Sequence, residues 1–513
     1  MASQAYLLGV TIAMCALLCL SCARERVTGE APSAAKVLLR GGTVYDGTGA
    51  PPVRADVLIA GDSVVAIGKE LRTGGAKVIN CSGLVVCPGF IDVHNHTLEG
   101  SPLGDGIPTE DTARRVLAEV GQGITTLVVG MDGSGQLDVA KYAETFRRYP
   151  KSANFARLVG HSAARRAIVG REKRQATPEE LAEMAALIDK GMKDGAFGLS
   201  SGLEYLGDYA TTEEVIALAK AVAPYGGYYE THLRNEDVGV FDATAEAIRI
   251  CREAGNIPLS ISHIKVGSYE VWHQAPKLER MLDDARATGL KVYANIRSSI
   301  CWASDLKSFD PDNKRDLAKI DVEIRKYWPD AAAYCFDCPS HPELVGKTLD
   351  KIAASWNVTP AEALVRMWDF KDARFEFNAM TWEDKAVFFK DPYVMISSDG
   401  GEGGSRKDPM IWSCFPIWFA LNRQHEWLPM EDAVRRCTGL PAEMLGLRDR
   451  GVLKAGMKAD VVVFDPKTID GERHWDKYNT LPRGIALVMV NGVVVMDHGK
   501  HTGKFPGRMI LKK

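Results

Sequence analysis

The sequence predicts an α/β fold: a (β/α)8 TIM-like barrel with a small β-sandwich domain that is formed from both chain ends. Three observations support this prediction. Apolar strand-like runs alternate with helical patterns through the middle of the chain, eight such runs can be counted, and Val/Ile-rich segments broken by Gly and Asp stand near both ends. The 513 residues accommodate a barrel, which often exceeds about 200 residues as one unit, together with a smaller domain.

The first segment is almost uninterrupted apolar sequence from Tyr6 to Leu20. It is short for a membrane span and has the length of a signal-peptide core. We therefore expect residues 1–22 to direct export, giving a periplasmic protein or a membrane-anchored lipoprotein. A small residue before Cys22 resembles a bacterial lipoprotein cleavage box, although Cys19 stands where that box usually has Leu. A plain cleaved peptide and an uncleaved anchor are the alternatives.

Both chain ends carry short β patterns. Residues 37–87 contain VLLRGGTVYDG and ADVLIAGDSVVAIG, and residues 450–513 contain ADVVVFDP and IALVMVNGVVVMDHGK. Runs of this kind, broken by Gly and Asp, are typical of short strands. The two segments are predicted to form one small β domain.

Residues 88–449 are predicted to form the barrel. Most of the eight runs are continuously apolar, as parallel strands buried on both faces are. The runs are FIDVH (90–94), TTLVVG (125–130), FARLVGH (155–161), AFGLSS (196–201), YYETH (228–232), LSISHIK (259–265), KVYANI (291–296) and VMISSDG (394–400).

Helix-like stretches separate most of these runs. Thr177 is predicted to cap a helix that has Pro at its first position and acids in its first turn, and Thr212 is predicted to start the next helix in the same way. The interval at about 298–393 is too long for a simple loop. It contains helical pieces at 348–355 and 360–369 and is predicted to be an insert or lid over the barrel mouth.

The overall composition excludes several classes of protein. Lys and Arg number 63 against 66 Asp and Glu, so the net charge is −3, and 25% of residues are charged. These values exclude disorder, collagen and coiled coil for most of the chain, and the lack of a basic excess argues against a nucleic-acid partner. Cys335 and Cys338 form a CxxC pair without a second CxxC, so buried thiols or a local disulfide are favoured over a structural zinc site.

Polar residues stand at the ends of the predicted strands, where barrel enzymes place their chemistry. His94 and His96 end the first strand two positions apart, so an extended chain points them to the same side. Imidazoles and carboxylates are ligands that Zn²⁺ prefers. The sequence therefore predicts a site for one or two metal ions, with these residues: His94, His96, Asp132, His232, His263 and Asp399.

These motifs resemble the amidohydrolase superfamily and, more closely, its N-acyl-D-amino-acid deacylases (D-aminoacylases). The matching stretches include PGFIDVHNH, GAFGLSSGLEY, YYETHLRNE, ISHIK and SSDG, and together with others they span about 88–513 apart from the insert. The resemblance implies a hydrolase that acts on a small-molecule amide, with Zn²⁺ as its cofactor.

The resemblance also implies residue roles. His232 and His263 match the tight zinc ligands, and His94 and His96 match a second, weaker metal site. Asp399 matches the catalytic carboxylate. The residues expected at the substrate carboxylate are Lys265 and Tyr205 from the resemblance, and Arg234 and Arg297 from their positions beyond strands five and seven.

Three departures from the family pattern stand out. Asp132 occupies the place of a Cys, so it either replaces the thiolate as a ligand or bridge, or marks a weaker site. YANIRSSI, with Arg297, replaces a Tyr-Pro-Tyr, and the His-Pro-Arg that usually follows the last Asp is absent, with Asp408 nearby. The last two changes fall where substrate is chosen, so the acyl group and the side chain stay open.

The leading hypothesis is metal-dependent hydrolysis of N-acyl-D-amino acids or related D-configured amides and dipeptides. A cyclic-amide hydrolase of the dihydroorotase or hydantoinase kind is an alternative, but those enzymes usually carry a carboxylated Lys on strand four and AFGLSS has none. The other alternative is a surface binding protein that keeps a metal without turnover. The sequence leaves the oligomeric state open.

Overall fold

The computed structural model describes residues 36–97, 111–305, 309, 314–326, 333–370, 372–402, 408–473 and 477–513. The predicted export segment, residues 1–22, lies outside these residues. Within the described part of the chain, no helix combines the length and the apolar character needed to cross a bilayer.

The strands are numbered in chain order. They are β1 (Lys36–Val44), β2 (Val53–Ala60), β3 (Ser63–Gly68), β4 (Lys77–Asn80), β5 (Val85–Pro88), β6 (Phe90–Asp92), β7 (Ile124–Val129), β8 (Asn154–Arg157), β9 (Val159–Gly160), β10 (Gly198–Gly202), β11 (Tyr228–His232), β12 (Leu259–Ile261), β13 (Val292–Ile296), β14 (Cys301–Asp305), β15 (Ala333–Asp337), β16 (Arg374–Asn378), β17 (Val394–Ile396), β18 (Val461–Phe464), β19 (Ile485–Val490), β20 (Val493–Asp497) and β21 (Lys500–His501).

The α-helices are numbered in the same way. They are α1 (Asp111–Arg114), α2 (Leu117–Gly121), α3 (Val139–Arg148), α4 (His161–Ile168), α5 (Pro178–Lys193), α6 (Leu203–Leu206), α7 (Thr212–Lys220), α8 (Val240–Glu253), α9 (Ala275–Ala287), α10 (Leu317–Arg325), α11 (Leu349–Trp356), α12 (Pro360–Trp368), α13 (Trp382–Lys390), α14 (Met410–His425), α15 (Met430–Cys437) and α16 (Gly439–Leu445).

One sheet takes its strands from both ends of the chain. Its order is β21-β20-β19-β18-β5-β1-β2-β3, with β4 paired to β1. The two ends of the sheet pack on each other, since Val57 and Val64 share one buried apolar cluster with Val461 and Met489. Alternating apolar residues in these strands supply that core, so the β domain built from both chain ends is confirmed.

The barrel is formed by parallel strands. They are β6 to β13, followed by β17, which pairs with β13. Only Leu158 separates β8 from β9, so the two pieces act as one strand and the ring has eight. The ring closes where Asn95 forms a parallel bridge with Gly400 and the amide N–H of His96 donates to the carbonyl of Gly400 at 2.7 Å. The predicted (β/α)8 barrel is therefore confirmed, and closure brings the first and last strand ends side by side.

Local sequence sets the helix starts. Thr177 caps α5 in a capping box with Glu180, with Pro at the first helical position as predicted. The cap of α7 is Thr211, one residue before the predicted Thr212, because the Thr211 side chain accepts the amide N–H of Glu214.

The segment between β13 and β17 has its own small core. It contains a three-stranded sheet in the order β14-β16-β15 together with α10, α11 and α12. Phe375 and Phe377 of β16 are packed against Leu364 and Met367 of α12. Its backbone meets the loop after the sixth barrel strand, where the amide of Tyr269 donates to the carbonyl of Lys326 at 2.7 Å. The Cys335 and Cys338 thiols are buried and unpaired.

Candidate active site

Six predicted site residues stand at the carboxyl ends of five barrel strands. His232 is the last residue of β11, and the others follow their strands by two to four residues: His94 and His96 after β6, Asp132 after β7, His263 after β12 and Asp399 after β17. In a parallel barrel these ends open on one face, where loops can carry chemistry without disturbing the strands. The structure brings all six together at that face.

The backbone is left-handed at three of these positions. The φ angles are 51° at Asp132, 30° at His263 and 46° at Asp399, a region that L-residues other than Gly rarely adopt. Such residues persist only where their surroundings hold them, and they cluster at functional sites. The side chains of all three residues nevertheless reach the group of ligand atoms at the barrel mouth.

The first group of ligand atoms is formed by His94 and His96. Their Nε2 atoms lie 3.1 Å apart. Asp132 Oδ2 is 3.6 Å and Asp399 Oδ1 3.4 Å from His96 Nε2, distances longer than a hydrogen bond. Two ligands about 2.0 Å from a tetrahedral ion lie about 3.3 Å apart, so this spacing suits a shared ion.

A second group lies beside it around His232 and His263. His232 Nδ1 faces His263 Nε2 at 3.1 Å, and the two rings meet edge to face. Asp132 connects the two groups, because its carboxylate, His94 and His263 each offer one atom within 4.8 Å of the other two.

Carboxylates hold the outer nitrogen of three of the four imidazoles. The pairs are Glu230 Oε1 with His94 Nδ1 at 2.8 Å, Glu204 Oε2 with His232 Nε2 at 2.6 Å and Glu236 Oε1 with His263 Nδ1 at 3.0 Å. A carboxylate on one ring nitrogen fixes the proton there and leaves the lone pair on the other. The nitrogen that faces the cluster is therefore the one that can bind a metal.

Burial and neighbouring charges set the ionisation of the site. Burial lowers the pKa of His263 to about 4, with help from the ammonium of Lys265, so this ring is neutral at neutral pH. Burial alone raises the pKa of a carboxyl, yet His263, His96 and Arg297 hold the pKa of Asp399 well below its usual range. Asp399 is therefore ionised and can accept a proton.

The charge balance of the cluster fits divalent cations. Two side-chain cations, Lys265 and Arg297, pair with its carboxylates, which outnumber them: Asp132, Glu230, Glu236, Asp399 and Asp408. Buried carboxylates without sufficient counter-charge are costly, and Asp132 Oδ1 has no hydrogen-bond partner among the described residues. Imidazole nitrogen and carboxylate oxygen form the donor set that zinc takes.

Lys265 and Tyr205, predicted to hold the substrate carboxylate, both lie at the cluster. Lys265 Nζ contacts Glu236 and lies 2.9 Å from His263 Nδ1. The Tyr205 hydroxyl is 3.1 Å from His232 Nδ1, while its side chain remains 63% exposed. Both polar groups can therefore reach a molecule that enters the mouth.

The two predicted arginines lie in different surroundings. The guanidinium of Arg234 forms an ion pair with Glu246 and donates to the carbonyls of Gly207 and Ala210, so its contacts lie away from the imidazoles. Arg297 is buried, pairs with Asp408 and places Nη1 3.5 Å from Asp399 Oδ2. Among the described residues, the guanidinium of Arg297 forms its ion pairs with the protein's own carboxylates, and its predicted substrate role stays a prediction.

The sequence analysis missed several supporting residues, among them Glu204, Glu230 and Asp92. Glu230 is fully buried and also accepts hydrogen bonds from Ser262 and Asn295, both at 3.2 Å. Asp92 accepts a hydrogen bond from the Ser398 hydroxyl at 2.5 Å, which ties the first strand to the last. Strand alternation was the available signal for Glu230, because it lies two positions before His232 and faces the same side.

A closed parallel barrel whose mouth gathers imidazoles and buried carboxylates defines a protein built to hold divalent metal ions. A model of the amidohydrolase family matches residues 77–337 and 394–496. D-aminoacylase of Alcaligenes xylosoxydans xylosoxydans is 31% identical over 93% of this chain and 97% of its own. The chain therefore belongs to the amidohydrolase family.

Solved structures agree with this assignment. Two structures of D-aminoacylase, one from work on its binuclear metal centre, each match with a TM-score of 0.79 and 30% identity over 93% of this chain and 99% of theirs. N-acyl-D-glutamate deacylase of Bordetella bronchiseptica, complexed with zinc and a phosphonate inhibitor, matches with a TM-score of 0.78 and 29% identity over 93% and 100%. D-hydantoinase, at 18% identity and a TM-score of 0.58, shares the fold alone.

Proposed function

We propose that this chain hydrolyses the amide bond of N-acyl-D-amino acids, releasing a carboxylate and a D-amino acid. The observation that carries the proposal is the position of the Asp399 carboxylate, 3.4 Å from His96 Nε2 and 3.5 Å from the guanidinium of Arg297. At this position the ionised Asp399 carboxylate lies beside the imidazoles that can bind a metal and can act as a general base. The similarity to D-aminoacylase supports the D-configured substrate.

The donor set suggests where one or two Zn²⁺ ions would be held. His232 and His263 would hold one ion, His94 and His96 the second, and Asp132 would contact both. When bound, the metal lowers the pKa of water toward neutrality and polarises an amide carbonyl. The carboxylates behind the rings would orient the ligands, as such partners do in other zinc sites.

The chain's own residues would supply the proton transfers and hold the substrate. Asp399, held ionised, would accept a proton from the attacking water and pass it to the leaving nitrogen. Lys265 and the hydroxyl of Tyr205 would hold the substrate carboxylate. Fixing the substrate there aligns its amide with Asp399, and orientation of this kind contributes several kcal/mol to barrier lowering.

The test is hydrolysis of paired D and L substrates by the metal-loaded protein. N-acetylated D- and L-amino acids and dipeptides are supplied, and the released amine is measured before and after chelation and after zinc is restored. Turnover of D substrates that is lost on chelation and regained with zinc supports the proposal. Preference for L substrates or for a cyclic amide, or binding without product over the whole panel, contradicts it.

The apolar segment from Tyr6 to Leu20 supports a separate proposal, export with lipid attachment at Cys22. Metabolic labelling of the full chain with a radioactive fatty acid tests it. A label that disappears in Cys22→Ser supports attachment, and an unlabelled wild-type protein contradicts it.

A further inference from the structure

One lysine of the insert contacts two loops that carry site residues. Lys326 follows the last residue of α10, and its side chain is 24% exposed. Its ammonium lies 3.1 Å from Asp237 Oδ2, in the loop after the fifth barrel strand, and 2.9 Å from Glu323 on its own helix. Its carbonyl oxygen accepts the amide N–H of Tyr269, in the loop after the sixth barrel strand, at 2.7 Å. Lys326 therefore joins these two loops.

Asp237 depends on this lysine for its counter-charge. Asp237 is buried, and among the described residues its carboxylate forms an ion pair with Lys326 alone, while its Oδ1 atom has no hydrogen-bond partner. A buried carboxylate is costly unless a cation is held beside it. The pair therefore ties the insert to the fifth-strand loop more firmly than an exposed ion pair would.

The two loops also meet directly, one residue before Asp237. The carbonyl oxygen of Glu236 accepts the amide N–H of Gly267 at 2.7 Å. A Cβ atom at position 267 would stand 2.4 Å from that carbonyl oxygen, so the backbones can approach this closely only because the residue is glycine. A shift of the chain at Asp237 would therefore move Glu236 and loosen its contact with the sixth-strand loop.

The side chain of Glu236 holds two groups of the site. Its carboxylate pairs with the ammonium of Lys265, and its Oε1 atom lies 3.0 Å from His263 Nδ1. Because Lys265 is the cation proposed to bind the substrate carboxylate, the position of that cation depends on Glu236. The insert is thus connected to the site through Asp237, the adjoining backbone of Glu236 and the ion pair with Lys265.

We propose that Lys326 is a positioning residue for the substrate carboxylate. It holds the loops after the fifth and sixth strands together, so that Glu236 keeps Lys265 in place at the barrel mouth. This inference rests on the proposed function, and it gives the insert a part in substrate binding without contact between Lys326 and the substrate.

Other contacts hold the sixth-strand loop when this ion pair is lost. Asp384 accepts the amide N–H groups of His273 at 2.8 Å and Ala275 at 3.1 Å, where the loop runs into α9. The contact with Tyr269 uses the backbone carbonyl of Lys326, which any side chain leaves in place. Lys326→Met therefore removes the ion pair with Asp237 and keeps the rest. Asp237→Asn weakens the same pair from the other side and serves as a second variant.

The experiment compares zinc-loaded wild type and Lys326→Met on N-acetyl-D-leucine and on its C-terminal amide, which has no carboxylate. The KM of the acid should rise roughly 5- to 20-fold, with kcat changed by less than about threefold, because Lys265 is misplaced and the reacting groups are not. The KM of the amide should stay within about twofold of wild type. A variant that merely folds less well would lose kcat on both compounds and keep both KM values.

Three variants complete the comparison. Asp237→Asn should raise the KM of the acid in the same direction as Lys326→Met. Lys326→Arg keeps the charge and should restore the KM of the acid. Arg325→Met is the matched control and should leave every value unchanged, because Arg325 is 71% exposed and pairs with Asp321 on the same helix.

Hydrogen exchange of the same proteins tests the loops without turnover. The amide of Gly267 should exchange faster in Lys326→Met than in wild type and return to the wild-type rate in Lys326→Arg. Unchanged exchange at Gly267, an unchanged KM for the acid, or an equal rise of KM for the acid and the amide would overturn the inference. A wild type that hydrolyses neither compound contradicts the proposed function, and the exchange rate then still decides whether Lys326 holds the two loops.

Discussion

His94 Nδ1 donates a hydrogen bond to Glu230 Oε1 across 2.8 Å, and both side chains are fully buried. This contact joins the end of the first barrel strand to the fifth strand through the interior of the barrel. It fixes the proton of His94 on Nδ1 and turns the Nε2 lone pair toward His96, Asp132 and Asp399.

Glu230→Gln tests this contact. The amide is a weaker acceptor, so the ring of His94 is less basic and less firmly oriented, and the affinity for zinc should fall by about 10- to 100-fold. Competition with a fluorescent chelator measures the affinity, with the exposed Glu253→Gln as control. Unchanged zinc affinity in Glu230→Gln would mean that His94 is not a ligand.

Arg297→Met tests the buried ion pair with Asp408. Asp408 is fully buried, and without its guanidinium it keeps an uncompensated charge, so the free energy of unfolding should drop by about 3–5 kcal/mol. The double variant Arg297→Met/Asp408→Asn should recover part of this loss, because the stranded charge is removed. Denaturant unfolding measures both, and equal stability of wild type and Arg297→Met contradicts the assignment.

Glu119 gives a prediction for the pH dependence of stability. Burial, together with the charge of Glu402, raises the pKa of Glu119 to about 8 in the folded protein. The folded state thus binds this proton more tightly than the unfolded chain does. The resulting stabilisation is complete below about pH 4.5 and is lost as pH rises through about 8, with a slope of at most about 1.4 kcal/mol per pH unit.

Glu119→Gln cannot ionise, and the free energy of unfolding should therefore depend less on pH between about 5 and 8 in this variant. Denaturant melts at several pH values measure the slope. The exposed Glu183→Gln serves as the control and should keep the wild-type slope. A Glu119→Gln protein whose slope equals that of wild type would show that Glu119 is ionised in the folded state.

Much of this centre follows from the sequence, because a parallel barrel gathers its strand ends at one face. His94, His232 and Asp399 could be placed together once the strands had been counted. The sequence does not show which way the chain turns after each strand ends, so the directions of the side chains in these loops could not be predicted. Arg234 was expected at the mouth from strict alternation, but the strand ends at His232 and the guanidinium turns to Glu246 instead.

Buried partners were harder to predict. Glu236 contacts both His263 and Lys265, and its carboxylate follows the end of the fifth barrel strand by four residues. The burial of Lys385, on α13, could not be predicted, because a lysine on a helix is usually solvated and only packing shows that this one is 2% exposed. The pairing of Arg297 with Asp408 depends on a contact between residues 111 positions apart, which strand counting does not provide.

The most direct measurement of the central claim is the turnover of an N-acetyl-D-amino acid by zinc-loaded Asp399→Asn, with the metal content determined on the same sample. Asparagine keeps the shape of the side chain and cannot accept the proton, so kcat should fall by about 10²- to 10⁴-fold while zinc remains bound. Turnover at the wild-type rate in the zinc-loaded variant would contradict the account, because a residue other than Asp399 would then be moving the proton.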